Sequence, residues 1–391
     1  MMDILAWFIA LPLSALLAYL GVELFLGLRP FPPVPVPAAP ARVALLVPAH
    51  DEAAGIAATV EALAAAAPGA SILVVADNCS DATAFAARQA GAAVVERNDP
   101  GRRGKGFALA FGRDRLADDP PDVVIVIDAD CRLRKGGAER LAARAFACGR
   151  PVQAANLLTA EEGASPLVAV SNFAMLVKNL VRARGLVRLG GGALLFGTGM
   201  AFPWPLFATL PLATGDAVED LSLGLWLARR GIRVDLDDQA LVTSQAAPVE
   251  DSRAQRSRWE HGFLRAAATQ GLPMLLRGVA TASVHLAALG AHLMVPPLAL
   301  LMLLSVSGLA LLAMVGFVSG NWTPLWLGGA AFVFAVAGLL ASWWRHGRGI
   351  LSFAALLRIP FYIVWKIPIY IGFFTRNQRD WNRTSRDGER P

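Results

Sequence analysis

The chain has 391 residues, 55% of them hydrophobic and only 17% charged, with a mean hydropathy of +0.49. That charge fraction lies well below the roughly 25% of soluble domains and excludes a purely soluble or a disordered protein. Lys and Arg number 36 against 30 Asp and Glu, a mild excess of +6. The arginines lie beside apolar spans and carboxylate motifs, so the excess speaks for lipid headgroups and nucleotide phosphates, not nucleic acid.

Residues 1–29 contain an almost wholly apolar run, Ile4–Leu28, long enough to cross a roughly 30 Å hydrocarbon layer. Met1-Met2-Asp3 ahead of it carries no Lys or Arg, so the run reads as a retained transmembrane helix, not a cleaved signal. Arg29 behind it puts the following residues in the cytoplasm by the positive-inside rule. Glu23, near that end, reads as an interfacial side chain. Residues 30–41 are a proline-rich linker, with six prolines in PFPPVPVPAAP, and form a stiff extended spacer.

Residues 42–270 alternate between apolar runs and helical patterns. Strands are expected at Val43–Pro48, Ile72–Ala76, Ala93–Glu96 and Val123–Ile127, and helices over Ala53–Ala67, Asp81–Ala90 and Lys105–Leu116. This is the signature of an α/β domain whose mostly parallel, Rossmann-like sheet is covered on both faces. Ligands bind outside the carboxyl ends of such strands, which directs attention to His50-Asp51-Glu52, Asp77-Asn78 and Asp128-Ala129-Asp130. Residues 271–293 are expected to form an interface helix region and 294–349 two transmembrane helices (294–318 and 324–344). Arg358, Pro360, Lys366 and Pro368 interrupt 350–375, which reads as interfacial or re-entrant, and 376–391 is a basic cytoplasmic tail.

Several short motifs carry chemistry. In VVIVIDAD (123–130) an apolar strand delivers two carboxylates, Asp128 and Asp130, hard oxygen ligands suited to Mg²⁺ or Mn²⁺ on a diphosphate; alone, such a pair also serves as a helix cap. Asp77-Asn78-Cys79-Ser80-Asp81 is either a turn that caps the next helix or a nucleotide contact through Asp77. Arg102-Arg103-Gly104-Lys105-Gly106 opens a helix with free amides and cations, a plausible anion site, although Lys105 reads equally as a solvated surface charge. Glu219 and Asp220 begin an amphipathic helix, where acids are ordinary dipole residues and a general base needs a carboxylate within reach of a hydroxyl. Gln255, Arg258 and Trp259 share one helical stretch, the guanidinium suited to a diphosphate and the indole to a sugar face. His50, His261, His285 and His292 have no paired spacing and read as structural. Three cysteines, Cys79, Cys131 and Cys148, form no CxxC and leave an odd count, which suits a reducing compartment and excludes a disulfide scaffold or a zinc ribbon.

Taken in order, VPAHDE (47–52), DNCSD (77–81), GKG (104–106), DAD (128–130), GTGM (197–200), VED (218–220) and QRSRW (255–259) resemble the membrane-bound family-2 glycosyltransferases, among them the cellulose, hyaluronan and chitin synthases and the glucosylceramide synthases. The resemblance implies a GT-A fold, inversion, a divalent cation and a UDP-sugar donor. It implies donor contacts from Asp51, Glu52, Asp77, Lys105 and Asp128, the metal on Asp130 with Asp128, and Asp220 as general base. Glu219, Gly197, Thr198, Gln255, Arg258 and Trp259 fall at acceptor or diphosphate positions. His50 and Asp51 depart from the usual VPAxNE, and Val218 replaces the threonine of TED. The expected enzyme is a hexosyltransferase acting on a lipid-linked or saccharide acceptor. It is expected to form a β-glycoside at the cell inner membrane, among membrane lipids and partners of polysaccharide assembly. Three spans are too few to line a polymer channel, which favours single addition over a processive synthase. A transporter or non-catalytic subunit is disfavoured because the charged motifs lie in the soluble segment and no acid is missing.

Overall fold

The computed structural model describes residues 2–33, 35, 38, 40–159, 166–216, 218–245, 259–359, 361, 363, 367 and 370. Gln255 and Arg258, the basic tail and most of 360–375 lie outside the described residues. The chain divides into two compact units. Among the described residues, one unit lies within 31–161 and 192–259, and the other within 1–30, 162–191 and 260–377.

The first unit is α/β. Eight strands form one sheet: β1 (Val43–Ala49), β2 (Ser71–Asp77), β3 (Ala93–Arg97), β4 (Val123–Val126), β5 (Cys131–Leu133), β6 (Val152–Thr159), β7 (Met200–Pro203) and β8 (Asp235–Gln245). Their order is β3-β2-β1-β4-β7-β6-β8-β5. The strands expected from the apolar runs, β1 to β4, pair in parallel, with Leu46 opposite Leu73 and Val126. β7 runs antiparallel between β4 and β6, and β5 antiparallel to β8. Successive side chains point to opposite faces. Leu45, Val47 and Val74 accordingly join the core cluster that contains Ile56, Val60 and Leu63 of the Ile56–Ala66 helix and Leu141 of the Gly137–Cys148 helix. Leu46 and Val75 face the other way, against Gly112 of the Lys105–Leu116 helix, whose missing side chain admits them. Both faces are thus covered, which is why these strands read as unbroken apolar runs.

The second unit is helical. Among the described residues three helices are long and apolar enough to cross a membrane: Met2–Gly27, Leu298–Ser319 and Thr323–Gly347, the last ending in a π-helical turn at Trp343–Gly347. Glycine lets the backbones meet, as small residues do where helices pack closely. A Cβ on Gly185 would overlap the Glu23 carbonyl, and one on Gly27 would overlap that of Val181. Gly185→Ala is therefore expected to destabilise the chain by about 1–3 kcal/mol through overpacking. Gly329→Ala, where a Cβ meets nothing within 4 Å, should be neutral; thermal melting in detergent checks the pair.

Glu23 is not the interfacial side chain expected. It is fully buried, accepting from Arg182 Nε at 2.7 Å, with His292 Nδ1 2.5 Å from its other oxygen. Its partners come from distant segments that bring a cation into the helical unit, where an acid stays buried only when paired. Farther along, the Leu272–Ala280 helix packs on Val284–Met294 through Gly278 and Gly290 and leaves Leu272, Leu276 and Val279 exposed. That apolar stripe at helical spacing has the form of a helix lying in a membrane interface.

Candidate active site

Strands β2, β1 and β4 are neighbours and parallel, so the loops leaving their carboxyl ends sit side by side. The chain reverses sharply there: Asp51 and Asn78 both take positive φ, 51° and 52°, a region Asp and Asn tolerate better than most residues. The loop after β1 is tied to the one after β2. Ser80 N donates to Asp51 Oδ1 at 2.6 Å, and Glu52 N donates to Thr83 Oγ1 at 2.7 Å. Asp77 is buried and accepts from Arg97 Nη1 at 2.6 Å and from Asn78 Nδ2 at 3.0 Å. Arg97 was not anticipated as a site residue. Its signal, a cation closing the strand beside a strand that ends in Asp77, is visible only once β3 is known to pair with β2.

Beyond β4 the acids gather. Gly104, at φ 129°, precedes the Lys105–Leu116 helix. Lys105 reaches across to contact the Asp128 carboxylate directly, and its Nζ also donates to the Gly197 carbonyl at 2.7 Å. Asp128 N donates to Thr198 Oγ1 at 3.1 Å, and Gln153 Nε2 donates to Thr198 O at 2.8 Å, which fixes the 197–200 loop over the end of β4. Gly197 has φ 83°, and a Cβ there would stand 3.3 Å from both Asp220 Oδ2 and Lys105 Nζ. Close approach of the acid and the cation thus needs glycine at this position. Asp220 sits in the first turn of the Glu219–Arg229 helix and accepts from Leu221 N at 2.8 Å.

Lys105, Asp128, Gly197, Thr198, Glu219 and Asp220 therefore come together, with Asp130 beside Asp128. Asp51, Glu52 and Asp77 hold the neighbouring strand ends. Trp259 is partly exposed at the edge of the described residues.

The electrostatics follow from the crowding. Burial raises the Asp128 carboxyl above its usual range, and Asp130 adds to this while Lys105 opposes it. Burial, reinforced by Asp220 against the pull of Lys105, pushes Glu219 up to about 7. Burial works against the Lys105 ammonium, but Asp128, Glu219 and Asp220 outweigh it and hold its pKa above the ordinary lysine value. Donor atoms of Asp128, Asp130 and Cys131 lie within 4.8 Å of one another. Burial, with Asp130 and Asp128 nearby, raises the Cys131 thiol well above the ordinary range; for a hard cation the two carboxylates are the better ligands of the three. An oxygen pair with one exposed member fits Mg²⁺ or Mn²⁺, which take one or two carboxylates and complete their shell with water and substrate phosphates.

The model of the family described as Glycosyltransferase like family 2 matches residues 40–262. No curated protein matches the chain in sequence. Among solved structures it is similar to the mannosyltransferase PcManGT from Pyrobaculum calidifontis in complex with GDP-Man and Mn²⁺. The TM-score is 0.56 at 16% identity, over 88% of this chain and 100% of that one, a likeness of fold. It is also similar to glucosyl-3-phosphoglycerate synthase from Mycobacterium tuberculosis with Mn²⁺, UDP and phosphoglyceric acid. There the TM-score is 0.39 at 21% identity, over 57% of this chain and 78% of that one. Mannosyl-3-phosphoglycerate synthase from Rubrobacter xylanophilus gives 0.39 at 23%, over 56% and 71%. The mixed sheet with its acids at the strand ends is a GT-A fold, and the chain belongs to glycosyltransferase-like family 2.

Proposed function

We propose that the chain is a membrane-bound, inverting glycosyltransferase that moves a hexose from a nucleotide donor, UDP-linked by the motif resemblance, to a lipid-linked or saccharide acceptor. The observation that carries this reading is the meeting of Lys105, Asp128, Asp130, Glu219 and Asp220 beside the 197–200 loop. Asp51, Glu52 and Asp77 line the end that takes the base and ribose. A divalent cation held by Asp130 and Asp128 neutralises the donor diphosphate when bound. Lys105 holds Asp128 and the Gly197 carbonyl in place at that end. Asp220 accepts the proton of an acceptor hydroxyl as that oxygen attacks the anomeric carbon opposite the leaving diphosphate, so an α-linked donor yields a β-glycoside. Gln255, Arg258 and Trp259 are assigned to acceptor and diphosphate by motif alone.

The three apolar helices and the exposed stripe of Leu272–Ala280 support a multi-pass protein of the inner membrane, with the α/β unit on the cytoplasmic side by the charge flanking the first helix. The test is nucleotide release from a panel of UDP- and GDP-sugars by the full chain in detergent, with and without Mn²⁺. Release from one UDP-hexose that disappears on chelation is expected. Release from none of the panel, with the protein folded, overturns the reading, and preference for a GDP-sugar overturns the UDP assignment.

A further inference from the structure

The helical unit carries a groove that the acids at the strand ends do not use. Its volume is about 350 Å³, and the described residues that line it are Pro166, Leu167, Val170, Arg358 and Phe361. Pro166 and Val170 lie one turn apart on the Pro166–Leu176 helix, with Leu167 beside them, so they share a face. Every lining side chain but one is apolar. The exception, Arg358, is exposed, and among the described residues its guanidinium has neither a carboxylate nor a hydrogen-bond acceptor. One cation set in an apolar wall selects an amphiphile. The fork of N–H donors takes an anionic oxygen group, and the wall takes hydrocarbon.

The neighbouring residues carry the marks of a bilayer surface. Trp344 is exposed, with the Arg348 guanidinium 4.3 Å above its ring, and indoles beside cations belong at headgroup level. Trp343 Nε1 donates to the Leu351 carbonyl at 2.7 Å and its ring packs against Phe353, which ties the following segment to this point. Phe353, Leu357 and Phe361, four residues apart, are exposed, the form of a segment that dips one face into the acyl boundary. Arg358 follows directly on Leu357 of that row.

Charge then chooses among lipids. A zwitterionic headgroup brings an ammonium, and among the described residues no Asp or Glu lines the groove to receive it. A sugar-bearing lipid brings hydroxyls, and the lining offers them the guanidinium alone. The volume is at the lower end of small-ligand sites, room for part of one chain. We propose that the groove binds one anionic glycerophospholipid of the surrounding bilayer, with its phosphate on Arg358 and one acyl chain along Pro166, Leu167, Val170 and Phe361. The bound lipid bridges the 353–361 segment and the Pro166–Leu176 helix. This assignment is independent of which sugar is moved and of whether transfer occurs.

The test is native mass spectrometry of the full chain in detergent, titrated with dioleoylphosphatidylglycerol or dioleoylphosphatidylcholine alone. The wild type is expected to take one phosphatidylglycerol at least about fivefold more tightly than phosphatidylcholine, the scale of one charge-assisted contact. Arg358→Gln should erase that preference. Arg348→Gln removes an equal charge from the Trp344 ring and should leave it intact. Phe361→Ser should weaken both lipids by about three- to tenfold through lost apolar contact. All three side chains are exposed, and circular dichroism confirms that each variant is folded. Equal affinity for the two lipids in the wild type overturns the proposal, as does unchanged binding in Phe361→Ser. A loss in Arg348→Gln as large as in Arg358→Gln reduces the preference to diffuse surface charge and overturns it too. Displacement of phosphatidylglycerol by a polyprenyl phosphate at lower concentration gives the groove to an acceptor lipid and overturns the phospholipid assignment.

Discussion

Asp220→Asn is expected to lower sugar transfer by about 10²–10⁴-fold, the usual contribution of a positioned general base, while leaving nucleotide binding within a few-fold of wild type. The substitution is nearly isosteric. Asn keeps the Oδ1 that accepts from Leu221 N, so the helix start is preserved, and it removes only the ability to take a proton at the position facing the Gly197 loop and Lys105. Glu219 is the natural competitor. Its carboxyl, pushed up to about 7 by burial and then by Asp220, is only partly ionised at neutral pH, and Lys105 lies between it and Asp128 in charge terms. A pKa near the working pH does not disqualify a base; geometry decides, since Asp220 and not Glu219 stands against the Gly197 loop, and Glu219→Gln should cost less than Asp220→Asn. Initial rates on the preferred donor, with UDP titration in the presence of Mn²⁺, rank the two. The reverse ranking moves the base to Glu219, and full activity in Asp220→Asn removes the assignment.

The half of the sheet that carries the motifs after β1, β2 and β4 was legible because its strands are buried on both faces. Val43–Ala49, Ser71–Asp77 and Val123–Val126 stand out as apolar runs, each followed by a polar turn. β5 to β8 offered no such signal. Met200–Pro203 is four residues long, and Asp235–Gln245 mixes acids with its apolar residues, so their pairing depends on neighbours far away in sequence. The same distance hid partners at the site. Lys105 read equally well as a surface charge, because the groups that engage it, Asp128 and the Gly197 carbonyl, arrive on other elements. Glu23 looked interfacial because nothing near it in the chain announces Arg182 or His292. Local pattern exposes a strand and the acid at its end; a counter-charge from another element becomes visible only in the fold.

Lys105→Met is expected to cost about 2–4 kcal/mol of stability at pH 8 and to recover most of it by pH 5. Met preserves the length and apolar stem of lysine, so the loss isolates the ammonium. In the wild type, burial disfavours that charge and the three carboxylates more than restore it, leaving the pKa raised. A raised lysine pKa contributes stability that is fully present below the ordinary value near 10.4 and fades only as pH climbs through the folded value. Across pH 5–9 the wild type therefore keeps this contribution whole. Without the ammonium, Asp128 and Glu219, already raised by burial, must ionise with no counter-charge. Their folded pKa values rise further above the unfolded ones, the folded state holds protons that the unfolded chain releases, and stability falls as pH rises from about 4 toward 8. Breaking a fully buried pair costs about 3–5 kcal/mol; the side chains of Lys105 and Asp128 are 18% and 33% exposed, and solvent screening trims that figure. Thermal denaturation of the full chain in detergent at pH 5 and pH 8, without divalent cation, reads the difference directly. Mn²⁺ should restore part of the loss at pH 8, because a dication near Asp128 and Asp130 replaces the missing charge. A deficit equal at both pH values would instead mean that Lys105 serves by packing, and its place among the acids would then contribute no net electrostatic stability.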